Sequence, residues 1–193
     1  MKRIIYFILL VFILSSCSYS YEHNISNQTT PSAATNYLNN HTTEEIFSDF
    51  LKATFVSSGF SSVDEISMNE LFRTAILFDE TCGSRWYDPN TMLYRIPVCD
   101  IQALLNEQFE NCIFDPSALN LYAEYDSHNN ILLAEAIGFS TGNSQFSFGD
   151  AYKIEADMVS VILFDAANHI KVTITAKIAG DNVFFLKCIY EQQ

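Results

Sequence analysis

The chain has little positive charge: its 193 residues include 10 Lys and Arg against 23 Asp and Glu. The resulting net charge of −13 would repel a phosphate backbone, so nucleic-acid binding through a general basic surface is excluded. Glycine and proline are also scarce, at 6 and 4 residues, which excludes collagen-like and Pro/Gly-rich disordered chains. With 49% hydrophobic residues, the length suits one compact domain with its own core.

Several common catalytic motifs are missing as well. The sequence has no S-x-x-K or H-E-x-x-H pattern and no phosphate-binding loop, which argues against nucleotide chemistry. Two of the four histidines, His128 and His169, stand at ligand-compatible spacing from Asp126 and Asp165. Because Asp, Asn and His also favour turns, we predict neither a metal nor a cofactor.

Five cysteines are present, and no two of them form a C-x-x-C pair that would support a zinc or thioredoxin-like site. Outside the cytoplasm, Cys82, Cys99, Cys112 and Cys188 permit two disulfides in three connectivities, and free buried thiols are equally compatible with the spacing. Cys82 follows a predicted helix, but no partner histidine identifies it as a nucleophile.

The N-terminus has the proportions of a secretory leader. Met1-Lys2-Arg3 is a short positive region, and the following apolar run of eleven residues ends at Leu14. A helix of that length reaches only about 16 Å, against about 30 Å for a hydrocarbon core, so it does not span a bilayer. We therefore interpret the run as a signal peptide.

Leu14-Ser15-Ser16-Cys17 follows at once and resembles the lipobox of bacterial lipoproteins. The resemblance implies cleavage before Cys17 and acylation of its thiol, with residues 1–16 as the signal peptide. Two or three acyl chains suffice for stable anchoring, so the partner is the membrane and the location is the extracytoplasmic side of a bacterial cell envelope. An ordinary signal peptide is the alternative, and sequons at Asn24, Asn27 and Asn40 would instead support a eukaryotic secreted glycoprotein.

The rest of the chain divides at Thr42. Residues 17–41 are polar and rich in Asn, Ser and Thr, which predicts a lipid-anchored flexible tether. Residues 42–193 form the predicted single domain. Its helices have start signals at Thr42–Glu45, at Ser67–Glu70 and after Pro97, and a hairpin turn is predicted at Asp88–Thr91.

The C-terminal half is predicted to be β-rich. The expected strands are Leu119–Tyr125, Ile131–Phe139, a long stretch from Gln145 to Phe164 that bends at Gly149, Ile170–Ile178 and Val183–Tyr190. Helices followed by strands predict an α+β fold in which N-terminal helices pack on a C-terminal antiparallel β-meander. This element order resembles the NTF2-like or cystatin-like cone. Tyr94-Arg95-Ile96-Pro97 before a helix is similar to uncharacterised cell-envelope lipoproteins of Gram-positive gut bacteria, which implies no activity.

Glu135 is the one candidate for chemistry. Counting by twos places it on the same strand face as Ile131, Leu133 and Ile137. If that face were buried, desolvation would raise the pKa of its carboxyl, as a general acid or base requires. A shifted register, or an inward charge that protects a sheet edge, is the alternative explanation. Trp86 and Tyr152 complete the possible pocket.

These observations leave three functions open. The first is a non-enzymatic, lipid-anchored module that binds a ligand or an envelope protein. The second is a small surface enzyme with a cone-shaped pocket and Glu135 as acid or base; an exposed Glu135 would contradict it. The third is a structural assembly lipoprotein, which predicts no sizeable pocket and a large apolar surface patch.

The anchor is directly testable. Substitution Cys17→Ala removes the only thiol of the lipobox, so we expect loss of lipid-dependent processing and of membrane retention in the host. Cell fractionation with metabolic fatty-acid labelling measures both. Unchanged fractionation of the variant would refute the lipid anchor.

Overall fold

The computed structural model describes residues 30–81, 83–137 and 145–193. Within these ranges the fold is α+β, with four α-helices and two antiparallel four-stranded sheets. The helices are α1 (Ala33–Asn40), α2 (Thr43–Leu51), α3 (Met68–Phe78) and α4 (Val98–Asn106). The strands are β1 (Tyr87–Asp88), β2 (Leu93–Pro97), β3 (Glu124–Asp126), β4 (Ile131–Ala134), β5 (Phe146–Lys153), β6 (Met158–Asp165), β7 (Ile170–Ala179) and β8 (Asn182–Gln192).

The first helix, α1, lies where the sequence predicted a tether. Ser32 caps it by accepting a hydrogen bond from the Thr35 N–H at 3.3 Å. Ala34 and Tyr37 are buried, and the Tyr37 hydroxyl donates to Asp49 at 2.8 Å. Helix α1 therefore belongs to the compact unit Pro31–Gln193, whereas the sequence predicted a boundary at Thr42. Because only two side chains of this polar helix are buried, its sequence showed no apolar stripe.

The other helix starts agree with their capping signals. Thr42 and Glu45 form the complete capping box of α2, with hydrogen bonds of 2.7 and 3.2 Å. Ser67 caps α3 by accepting from the Glu70 N–H. The Glu70 carboxylate, however, accepts from Ser57 and Ser58. It therefore joins the start of α3 to the loop that follows α2.

Strands β5 to β8 form a meander, and α1 and α2 pack on it. The alternation predicted for β7 is confirmed, because Val172, Ile174, Ala176 and Ile178 are buried. The long stretch expected from Gln145 to Phe164 is instead two strands, β5 and β6. The turn between them, residues 154–157, contains no glycine, proline or asparagine, so no strong breaker residue marks it.

A second sheet has the order β1-β2-β4-β3. The β1–β2 hairpin confirms the turn predicted around Asp88. Strands β3 and β4 are shorter than expected, with three and four residues, and β4 pairs with β2 on one side and with β3 on the other. The strands predicted as one meander thus belong to two sheets.

Three hairpins use the same turn chemistry, which we call the Asp turns. In each, an aspartate oxygen accepts the backbone N–H two residues later at 2.9–3.0 Å, and the residue four positions later has positive φ. The aspartates are Asp88, Asp126 and Asp165, and the positive-φ residues are Met92, Asn130 and His169. Carboxylates that satisfy turn N–H groups are structural, so part of the acidic composition serves the fold.

The helices and the meander meet at an aromatic cluster. The Phe109 ring lies 5.9 Å from Phe60 and 6.1 Å from both Phe78 and Phe185, measured between centroids. Backbone bonds reinforce this junction, since Phe60 and Cys188 exchange hydrogen bonds of 2.8 and 2.9 Å. Strand β8 is thereby fixed to the helical part of the chain.

Gly59 allows that close approach and supplies a stability test. Its φ is +68°, and an added Cβ would lie 2.7 Å from the Cys188 carbonyl oxygen. Gly180 has a similar φ of +64° with nothing within 4 Å. We expect Gly59→Ala to lower the free energy of unfolding by about 2 kcal/mol or more and Gly180→Ala by only about 1 kcal/mol. Urea unfolding measures both, and equal losses would show that the Cys188 contact is unimportant.

The turn carboxylates predict a pH dependence of stability. Hydrogen bonds from Asn90 and from Asn129 lower the pKa of Asp88 and of Asp126, respectively. A carboxyl whose pKa is lower in the folded state stabilises the fold above its unfolded pKa, about 3.9, and loses that contribution as pH falls through the folded pKa. We expect the urea midpoint to fall in acid, and to fall less for Asp126→Asn. Glu155→Gln removes an exposed carboxylate and is the control. It should leave the change of the urea midpoint with pH as it is in the unsubstituted protein.

Candidate functional site

A cleft of about 750 Å³ lies between the C-terminal ends of α2 and α3 and the end of α4. The 3₁₀ turn Lys52–Phe55 continues α2 along one side, and Phe78 ends α3 on the other. Its lining combines apolar and charged side chains, namely Leu51, Lys52, Phe55, Leu77, Phe78, Asp79, Glu80, Arg85, Leu104 and Glu107, with Ser48, Thr81 and Gln108. We call it the helical cleft.

Two phenylalanines form the aromatic wall of the helical cleft. The Phe55 and Phe78 rings are 5.8 Å apart, and Phe78 also contacts the buried Phe109 at 6.1 Å. Both wall residues are half-buried, so their outer surfaces are available to a ligand. Because Phe78 is packed on the core, the wall exists before any ligand binds.

Asp79 closes one end of the cleft and is almost completely buried, at 5% exposed. Its carboxylate pairs with the Arg85 guanidinium at 3.1 Å and accepts from the Gly83 N–H at 2.8 Å and from the Thr81 hydroxyl. The same guanidinium lies 4.4 Å above the Trp86 ring. Asp79 is therefore satisfied within the fold, and it fixes Arg85 at the rim.

Lys52 is the second cation of the cleft. Among the described residues it has no ion pair, whereas Arg85 is paired with Asp79. Lys52 also borders a smaller depression of about 170 Å³ that Asp49 and Asp181 line. Its ammonium group is therefore available to an anionic group of a ligand.

Glu135 does not meet the condition for an acid or base. Strand β4 ends at Ala134, and Glu135 follows it in an exposed position. The buried side chains of β4 are Leu132 and Ala134, so the inward face is opposite to the one that the sequence favoured. Glu135 borders an open cleft of about 810 Å³, where water solvates its carboxylate.

Trp86 and Tyr152, the other predicted pocket residues, lie in different parts of the fold. Trp86 is 7% exposed, and its indole N–H donates to Asp100 at 2.8 Å. Tyr152 is 45% exposed on β5. The structure therefore does not bring these two residues together with Glu135 in one pocket. Sequence reasoning missed Lys52, Asp79 and Arg85, which no local motif connects.

Three cysteines fall within the described residues, and all three are free. Burial raises the pKa of Cys112 to about 11 and that of Cys188 to about 12, which makes both thiols poor nucleophiles. Cys99 is exposed, and Cys82 lies outside the described residues. In the part of the chain that the structure describes, no group of three His, Cys, Asp or Glu side chains is arranged to hold a metal ion.

The described helices include none that is long and apolar enough to cross a membrane. Residues 1–18 match the family model of the prokaryotic membrane lipoprotein lipid attachment site, and the match includes Cys17. The chain is therefore anchored by lipid at the extracytoplasmic membrane surface, as the lipobox predicted. This finding favours the lipoprotein over the eukaryotic glycoprotein.

The comparisons identify no family for the domain itself. No curated protein and no solved structure matches the chain. The NTF2-like or cystatin-like cone, and the similarity to envelope lipoproteins of Gram-positive bacteria, accordingly stay predictions.

Proposed function

We propose that this lipid-anchored protein is an extracytoplasmic binding module whose helical cleft holds a small ligand with an apolar part and one anionic group. One observation carries the proposal: the half-buried aromatic wall of Phe55 and Phe78 stands beside Lys52, a cation with no ion pair among the described residues. The volume of about 750 Å³ falls within the range of small-molecule sites, about 300–1,000 Å³.

The apolar part of the ligand would pack on the phenylalanine wall. Removing apolar surface from water contributes about 25 cal/mol per Å², and an aromatic group gains further from offset or edge contacts with the rings. Because core packing holds Phe78 in place, little ordering of the protein would oppose binding. An elongated apolar or aromatic group therefore suits this wall.

The charged side chains at the rim of the helical cleft limit how much negative charge the ligand can carry. Lys52 and Arg85 attract an anion, but Asp79 already neutralises Arg85. Glu80 and Glu107 line the same cleft and would repel a group of high negative charge. A single carboxylate or sulfonate fits this balance better than a phosphate dianion.

The two alternative functions are less well supported. An enzyme that uses Glu135 requires a desolvated carboxyl, and Glu135 is exposed. A purely structural lipoprotein predicts no sizeable pocket, whereas the described residues form clefts of about 750 and 810 Å³. An NTF2-like cone would bind its ligand on the concave face of a sheet, and our proposed site lies among helices.

Binding of 8-anilinonaphthalene-1-sulfonate, an aromatic sulfonate, tests the proposal. Its fluorescence is titrated with the folded protein and with Lys52→Gln, Phe55→Leu and Lys187→Gln. An exposed lysine–anion pair is worth about 1 kcal/mol, so Lys52→Gln should weaken binding about fivefold. Phe55→Leu should weaken it too, because it removes an aromatic contact.

Lys187→Gln is the matched control, because Lys187 is an exposed lysine outside the cleft. Circular dichroism of each variant establishes that the fold is intact. If the lysine variants bind the probe equally and Phe55→Leu has no effect, the dye binds elsewhere and the helical cleft is not the site.

A further inference from the structure

The first helix joins the domain to its anchor at one defined end of the meander. The Ala34 N–H donates to the Ala156 carbonyl at 3.1 Å, and the Lys153 ammonium lies 3.4 Å from the Ser32 hydroxyl. The start of α1 is therefore bound to the β5–β6 turn, residues 154–157. The chain leaves the domain toward Cys17 from this end.

The length of the connection limits how far this end can be from the lipid. From Cys17 to Pro31 there are 14 residue steps, which span at most about 50 Å at about 3.5 Å each. A domain of this size has a radius of gyration of about 15 Å. The connection is therefore long enough for the β5–β6 end, where it is attached, to reach the bilayer.

Two exposed apolar side chains are found at the same end. Tyr152 is 45% exposed and Ile154 is 47% exposed. They alternate along the strand, and the Ile154 N–H continues the ladder by donating to Met158 at 2.9 Å, so both side chains lie on one face. Tyrosine favours the interface between water and lipid, while isoleucine favours its apolar side.

We propose that Tyr152 and Ile154 insert into the headgroup region of the bilayer that carries the lipid anchor, and so orient the domain. Lys153, between them, lies on the opposite face of the strand, where its ammonium group donates to the Ser32 hydroxyl of the anchor segment. The anchor holds these side chains at high local concentration next to the lipid, so a weak contact suffices. The contact orients the domain with this end toward the membrane.

The nearby acids define the lipid that fits. Asp150, Glu155 and Asp157 flank the two apolar side chains and repel an anionic surface. Apolar contacts therefore drive the insertion, which is strongest on neutral bilayers. A high content of anionic phosphatidylglycerol weakens it. The inference is independent of any ligand in the helical cleft.

Fluorescence quenching by bromine-labelled lipids tests the orientation. The lipidated protein is reconstituted into phosphatidylcholine vesicles with brominated acyl chains, as Tyr152→Trp and as Tyr87→Trp. Tyr87 is also 45% exposed but lies on β1 in the other sheet, which makes it a matched control. The native Trp86 is 7% exposed and gives the same background in both variants.

We expect the tryptophan emission of Tyr152→Trp to shift to the blue and to lose intensity in brominated vesicles. The emission of Tyr87→Trp should be quenched no more than that of the native Trp86. Adding Ile154→Ser to Tyr152→Trp should reduce the quenching, as should phosphatidylglycerol. Equal quenching at positions 87 and 152, or none at 152, would overturn the proposal. Near-native circular dichroism and melting temperature of each variant ensure that quenching reports orientation rather than unfolding.

Discussion

The packing around Phe109 is the constraint on which the rest of the fold depends. This fully buried ring contacts one phenylalanine from the loop after α2, one from the end of α3 and one from β8. Full burial of such a side chain contributes about 1.5–3 kcal/mol, and each aromatic pair adds about 0.5–1.5 kcal/mol. Phe78 belongs both to this cluster and to the wall of the helical cleft. The shape of the proposed binding site is therefore determined by the core.

Elements with strong local signals could be predicted from the sequence. The capping box at Thr42 and the cap at Ser67 identify helix starts because the side chains that satisfy the first N–H groups are close in sequence. The alternation of apolar and polar residues in β7 is an equally strong signal, because one face of the strand is buried and the other is more exposed to solvent. Helix α1 has a cap at Ser32 but no apolar stripe, and the turn at 154–157 has no glycine or proline; tertiary contacts help to stabilise both.

The candidate site was much harder to predict. Lys52, Phe78 and Arg85 are separated in sequence, and only the packing of α2 against α3 brings them to one cleft. The face of β4 that is buried depends on a contact across the sheet. Leu132 pairs with Ile96 across the sheet, and both are fully buried, so this pair determines which face of β4 is inward. Counting apolar residues along a single strand did not include that partner.

The attachment of α1 also determines how the domain responds to force. Tension in the anchor enters at Pro31, and α1 is the first structural element on its path. The hydrogen bonds of Ser32 with Lys153 and of Ala34 with Ala156 lie at the start of that helix, so they are the first contacts with the sheet to be stretched. Peeling α1 from the sheet would relieve such tension while the Phe109 cluster and the helical cleft stay folded. Force on the anchor would thus load the first helix before it reached the rest of the domain.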